Sequence, residues 1–432
     1  MTSDLPSWFG TGHERRAKAF ACLALLSLAV ASVGVLAAPS HPRVTVSTDA
    51  PESNTLVALQ GYHHEGRAVE VTPDGEIAWE YAKPDDVFDA EALAPDRIQL
   101  STANEIPDRK CPARFRNDGF ENCVRNSLRI VDKSSKETVW EYAWYDVKLH
   151  EHELHDADHY TVNGEDRWVM VDMGNDRVFA VNRQKEVVWE WNATDAYERP
   201  AKLGPEGDWT HVNDVDRIRP GVFQISLRNF DTVAELRVRN GFVSVRPVVG
   251  PNSYAERGDV LHEQHNPDRL ADGHLLVADS ENDRVVELNR SGDIVWEFGG
   301  SATLDWPRDA DRLPNGHTLV ADSYNDRVVE VNERGEVVWA VETGGLPYEA
   351  DRLPAEWSAD ARAEGSSDRP TAPEANLSDG VEEGSVVEGY AEYAVSMAKY
   401  VLPVGFGEQL FPLTFGLLSL FGAAIEGVLW RR

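Results

Sequence analysis

Short apolar runs separated by Asn, Asp and Gly recur along the chain from about residue 54 to about residue 354. Runs such as Arg327-Val328-Val329-Glu330-Val331 cluster or alternate β-branched residues between turn formers, the pattern of strands buried on one or both faces. No stretch within this region sustains a helical period. The runs belong to a repeated text: Asp305 to Val341 reads DWPRDADRLPNGHTLVADSYNDRVVEVNERGEVVWAV, and His262 to Phe298 repeats it closely as HEQHNPDRLADGHLLVADSENDRVVELNRSGDIVWEF. A period of about 40 residues with four strand-like runs is the spacing of a β-propeller blade.

The two ends of the repeat array interlock. Asn54 to Tyr81 matches only the last three strands of a copy, and the missing first strand follows the last complete copy as Tyr348-Glu349-Ala350-Asp351-Arg352-Leu353-Pro354. An all-β ring closed by pairing of the N- and C-terminal strands meets this requirement and leaves no open sheet edge at the seam. The opening signature occurs six times: Phe88-Asp89-Ala90-Glu91, His155-Asp156-Ala157-Asp158, Asn213-Asp214-Val215-Asp216, His265-Asn266-Pro267-Asp268, Arg308-Asp309-Ala310-Asp311 and Tyr348-Glu349-Ala350-Asp351. A closing β-branched pair and Trp falls at Trp79, Trp140, Trp189, Trp296 and Trp339. The expected fold is therefore a six-bladed β-propeller over residues 39–354.

The flanks read differently. Ala19 to Ala38 carries no charge and follows Arg15, Arg16 and Lys18, so residues 19–38 are expected to form a transmembrane helix or signal anchor, with residues 1–18 in the cytoplasm. A cleaved signal peptide is the competing reading, and either one exports the ring. Residues 355–400, rich in Asp, Glu, Ser, Pro and Gly, are expected to be an acidic flexible stalk. Residues 404–430 are expected to form a C-terminal transmembrane helix ending at Arg431-Arg432. The expected location is the cell membrane, with the propeller on the extracellular side.

Charge narrows the partners. The formal net charge is -32 and Arg far outnumbers Lys, so the surface repels nucleic acid, which is excluded as a partner. This acid-rich, Lys-poor composition resembles that of proteins from extreme halophiles, where salt screens self-repulsion. Of three cysteines, Cys22 lies in the first apolar segment, while Cys111 and Cys123 sit in a polar insertion of the second blade and are the disulfide candidates.

In a propeller the innermost strands line the central channel, so the opening signatures are where side chains from distant sequence meet. His155, His211 and His265 fall in or beside three successive signatures, which points to a shared site. The text here resembles the bacterial-type arylsulfotransferases, which are six-bladed propellers acting outside the cytoplasm. The resemblance rests on Thr210-His211-Val212-Asn213-Asp214 followed by Ser226-Leu227-Arg228-Asn229, on Gln264-His265-Asn266-Pro267 followed by Gly273-His274 through Ser280, and on His155-Asp156. It implies transfer of a sulfuryl group from a phenolic sulfate ester to a phenol or other hydroxyl acceptor, through a sulfohistidine and without a cofactor or metal. By motif position His265 would be the nucleophile, His211 and Arg228 would bind the sulfate oxygens, and His155 would assist proton transfer or oxyanion binding. Asn213, Asn266, Arg308 and Tyr348 are expected to contact substrate. Phe88 and Tyr348 depart from the expected pattern, because polar support would be anticipated at their signature positions.

Two other readings stand beside this one. Ala278-Asp279-Ser280-Glu281-Asn282-Asp283-Arg284 and its copy Ala321 to Arg327 also resemble the NHL class of repeat, which implies a non-catalytic platform for binding or assembly at the cell surface. Alternatively, His155, His211 and His265 could serve as three ligands of a catalytic metal.

Overall fold

The computed structural model describes residues 43–61, 66–117, 122–147, 152–200, 209–251 and 260–355. They form six antiparallel sheets arranged as the six blades of a propeller. The innermost strands are Leu346–Arg352, Asp86–Ala94, Ala157–Val162, Val212–Arg219, His265–Arg269 and Pro307–Arg312, for blades one to six. Leu346–Arg352 pairs with Thr55–Gln60, so the C-terminal strand supplies the inner strand that the first repeat lacks. A second closure was not legible in the repeat: Arg43–Ser47 adds a fifth, outermost strand to blade six by pairing with Val337–Glu342.

Apolar faces of neighbouring blades make the core. Leu319, Ala321, Val328, Trp339 and Val341 of blade six pack on Val57, Leu59, Val69 and Val71 of blade one, and equivalent clusters lie between other blades. Three of the closing Trp residues clasp the next blade through the indole N–H: Trp79 donates to Lys133 O at 2.8 Å, Trp140 to Arg183 O at 3.0 Å and Trp339 to Pro73 O at 3.0 Å. Ion pairs repeat the theme. Arg312 pairs with Glu287 of the preceding blade at 2.9 Å with both side chains fully buried, and Arg352 pairs with Glu330 at 2.7 Å.

The NHL-like segments also build blades. Arg177, Arg284 and Arg327 donate through Nε to Asp172, Asp279 and Asp322 at 2.7, 2.7 and 2.6 Å, each across a short 3-10 turn. Each turn ends on an aspartate in the left-handed region, at Asp176, Asp283 and Asp326 with φ near 51°. Their Asp and Arg side chains are thus committed to the turn.

Cys111 and Cys123 form a disulfide with a Cα–Cα distance of 5.9 Å, joining the insertion of blade two. Among the described residues no helix is long and apolar enough to cross a membrane. The expected spans at 19–38 and 404–430 and the stalk lie outside the described residues, apart from residue 355 of the stalk.

Candidate functional site

In four of the six blades the signature residue reaches the channel through a backbone irregularity. Phe88, Asn213, Arg308 and Tyr348 are each the unpaired extra residue of a β-bulge against the second strand of the blade. In blade five the extra residue falls just after His265. The extra residue is left out of the ladder and the pairing beyond it is offset by one, which re-aims the side chain at that position. Phe88, His155, Asn213, His265, Arg308 and Tyr348 are all buried, each 5% exposed or less.

Two residues upstream of the signature position stand His211, Glu263 and Trp306, in blades four, five and six. All three adopt positive φ, at 46°, 50° and 55°, a left-handed conformation that L side chains disfavour. Three successive blades therefore hold the same strained turn beside the signature residues, and strain of this kind persists where surrounding structure enforces it.

The side chains converge. Tyr348 Oη and His155 Nδ1 are hydrogen-bonded at 2.9 Å, and His155 Nε2 lies 3.6 Å from the buried Glu153 carboxylate. Phe88 stacks on the His155 ring at 4.5 Å, and His211 meets the same ring edge-on at 5.5 Å. Tyr348 bridges to the other half of the cluster, its ring 5.9 Å from that of His265. The Arg308 guanidinium lies over the rings of Trp306, at 3.8 Å, and Tyr348, at 4.7 Å, and donates to Gln60 Oε1. His265 Nδ1 meets Ser280 Oγ at 2.8 Å. Arg228 and Glu263, both partly exposed, form an ion pair beside the buried group.

Burial and positive neighbours keep the imidazoles neutral. His155 is pushed down to about 4, mainly by burial, with the Glu153 carboxylate opposing and His211 and Arg308 adding to the effect. His265 is held well below the ordinary imidazole range by burial, then by Arg228, Arg308, His211 and His155. A neutral ring keeps a nitrogen lone pair at neutral pH.

Further along the same strands the channel turns acidic. Asp156, Asp214 and Asp309, with Asp158, Asp216 and Asp311 two residues on, line a cavity of about 1060 Å³ that none of the site histidines borders. Several of these carboxylates stitch the ring: Asp156 accepts from Val215 N at 2.6 Å, Asp158 from Arg217 N at 2.6 Å and Asp309 from Ala350 N at 2.9 Å. They cap the channel-facing edge of an inner strand, whose N–H groups there have no further strand to pair with. Burial pushes Asp89 and Asp158 up to about 7 and holds Glu91, Asp156, Asp214 and Glu349 well above the carboxylate range; neighbouring carboxylates add to the shift for all but Asp158.

The residues expected from sequence separate into groups. His155, His265, Arg308 and Tyr348 share the buried cluster, with His211 and Arg228 at its partly exposed side. Asn213 is fully buried and its amide donates across the blade boundary to Gln264 O at 3.0 Å, so it positions the residue before His265. Asn266 lines the acidic cavity. His274, part of the text that carries the resemblance, pairs with Glu287 Oε1 at 2.7 Å in the buried Arg312 network. Among the described residues no three His, Cys, Asp or Glu side chains converge closely enough to hold a metal ion, so the three histidines do not form the ligand set considered above. Glu153, Ser280, Trp306 and Glu263 join the cluster unannounced; Glu153, Glu263 and Trp306 share with His211 the position two residues before the signature, the one signal that marked them.

No family model and no curated protein matches the chain. Among solved structures it is similar to a protein of unknown function from Bacteroides caccae, with 16% identity and a TM-score of 0.45 over 69% of this chain and 97% of that one. It is also similar to a periplasmic gluconolactonase of Pseudomonas aeruginosa, with 15% identity and a TM-score of 0.42 over 71% and 87%. Virginiamycin B lyase from Staphylococcus aureus gives 10% identity and a TM-score of 0.39 over 69% and 87%. At these identities and scores the likenesses assign no chemistry to this chain.

Proposed function

We propose that the histidine cluster transfers a sulfuryl group from an aryl sulfate ester to a hydroxyl acceptor, with His265 as the covalent carrier. The observation that carries this reading is a buried, neutral imidazole flanked by the guanidiniums of Arg228 and Arg308, whose charges bear on it directly. A neutral imidazole is a competent nucleophile, and fixed guanidinium groups suit an anion whose charge lies on S–O oxygens. The sulfate of the donor displaces the Glu263 carboxylate from Arg228, the partly exposed cation of the cluster.

In the first half-reaction a ring nitrogen of His265 forms an N–S bond while the S–O bond to the aryl group breaks. The phenolate leaves with that electron pair and takes a proton from solvent after release. In the second, an acceptor hydroxyl attacks sulfur, its proton passes through Tyr348 to His155, and the N–S electron pair returns to His265. Neutral His155 suits the role of base in this step, with Glu153 beside its other nitrogen stabilising the imidazolium that forms. His155 then loses the proton to solvent. The chain would work outside the cytoplasm, held at the membrane by its terminal segments.

Incubation of the full-length protein in molar salt with a chromogenic aryl sulfate tests this reading. Phenol release together with a sulfuryl adduct on His265, both lost in His265→Ala, is the expected result. Folded protein that gives neither with any of several donors overturns it.

A further inference from the structure

Ser280 lies on the 3-10 turn after the second strand of blade five, fully buried, with its hydroxyl between two groups of different character. One is His265 Nδ1 at 2.8 Å, which can donate or accept; the other is the carbonyl oxygen of Pro307 at 2.7 Å, which can only accept. A third contact, to Ala278 O at 3.4 Å, is again a carbonyl. A serine hydroxyl has one proton. Committed to a carbonyl, it leaves only lone pairs for the imidazole.

The repeat supplies an internal control for where that proton goes. In blade six the equivalent Ser323 donates to Pro347 O at 2.6 Å, and the position equivalent to His265 is Arg308, so no imidazole is present to orient that hydroxyl. The serine-to-carbonyl bond is thus a feature of the blade boundary itself. At the boundary between blades five and six it recurs with a histidine added.

We propose that Ser280 is a positioning residue that fixes His265 as the Nδ1–H tautomer, leaving Nε2 as the nitrogen that carries the lone pair and takes the sulfuryl group. The tautomer follows from the hydrogen bonds alone; the identity of the group transferred rests on the function proposed above. With Nδ1–H retained, attack by Nε2 gives an N-sulfonated ring that is formally cationic, its Nδ1–H still donating to Ser280. A cationic ring is the better leaving group for the second half-reaction, so the same bond that directs attack keeps the adduct labile.

Nitrogen NMR of the full chain labelled with 15N-histidine reads the tautomer directly, with the His265 signals assigned by their loss in His265→Gln. Wild type is expected to show Nδ1 protonated and Nε2 bare. Ser280→Ala should give a mixture of tautomers and slow single-turnover transfer from an aryl sulfate by about 10- to 100-fold, the range seen when the hydrogen-bond partner that orients a metal-ligating imidazole is removed. Ser280→Thr, which keeps the hydroxyl, should restore both. Ser323→Ala removes the equivalent bond where there is no histidine and should change neither, which separates the effect from general loosening of a blade boundary. Protonation at Nε2 in wild type, or an unchanged tautomer in folded Ser280→Ala, overturns the inference even if transfer occurs. A fixed Nδ1–H tautomer in protein that transfers nothing supports the inference and removes the sulfuryl-transfer reading instead.

Discussion

Tyr348 Oη and His155 Nδ1 meet at 2.9 Å although 193 residues separate them in sequence. They meet because the strand that carries Tyr348 comes from the C-terminal end of the ring and completes blade one, beside Phe88 of blade two. Closing the ring and completing the cluster are one event. Tyr348→Phe keeps the ring of the side chain and removes only the hydroxyl, so transfer to the acceptor should slow by about 100-fold or more, the scale of a lost proton-transfer group. Steady-state kinetics should show the loss in kcat rather than in KM.

The two closures should differ in weight. Leu346–Arg352 is an inner strand, paired along its length with Thr55–Gln60, whereas Arg43–Ser47 is an outermost strand with alternating exposure. Removing residues 43–47 should lower the midpoint of thermal unfolding modestly. Placing Pro at Glu349 and Asp351, the residues that flank Ala350 and pair with Ala58 and Leu56, breaks the pairing of the inner strand and should abolish cooperative unfolding.

Glu263 already neutralises Arg228. Glu263→Gln should therefore lower KM for an anionic aryl sulfate, as the incoming sulfate no longer displaces a carboxylate, and leave the thermal midpoint nearly unchanged because the pair is partly exposed. A rise in KM would show that Glu263 orients Arg228 for its ligand.

The pair Arg312 and Glu287 is fully buried. Arg312→Ala leaves the Glu287 carboxylate without its cation in the core and should destabilise the ring by about 3–5 kcal/mol, measured by denaturant unfolding in molar salt. His274 Nδ1, 2.7 Å from Glu287, remains as a partner for the carboxylate.

The channel carboxylates give the ring an unusual dependence on pH. Six of them have raised pKa values in the folded state, two at about 7. Their stabilising contribution is complete below the unfolded carboxylate value and is lost as pH rises through the folded values, about 7 for Asp89 and Asp158. His155 and His265 act in the opposite sense, their pKa values being depressed in the folded state, so they cost stability as pH falls from about 6.5 towards 4. With six groups against two, the thermal midpoint at constant salt should be higher at pH 5.5 than at pH 8. An increase in stability from pH 5.5 to 8 would mean that the carboxylates are ionised together and held by bound cations.

Much of the ring was legible because the repeat is written in the chain twice over, once as strand patterns and once as the missing and surplus strand at its ends. Arg43–Ser47 was not, since it belongs to no copy. The histidines of the cluster were legible from their place at the opening signature. Ser280 was not, because what it does depends on contacts with His265 and Pro307 that sequence distance does not relate. Asn213 shows the converse: it holds a signature position beside the histidines, yet its amide is committed to the carbonyl of Gln264. Only the geometry distinguishes a residue that lines a site from one that holds it in place.

The bulges at the signature positions have a consequence for how such a site can change. The extra residue of a bulge takes no part in the pairing of its strand, and four of the six blades carry Tyr, Phe, Asn and Arg there. Each position can be rewritten without retuning its blade, so the scaffold and the chemistry of the cluster are free to evolve at different rates.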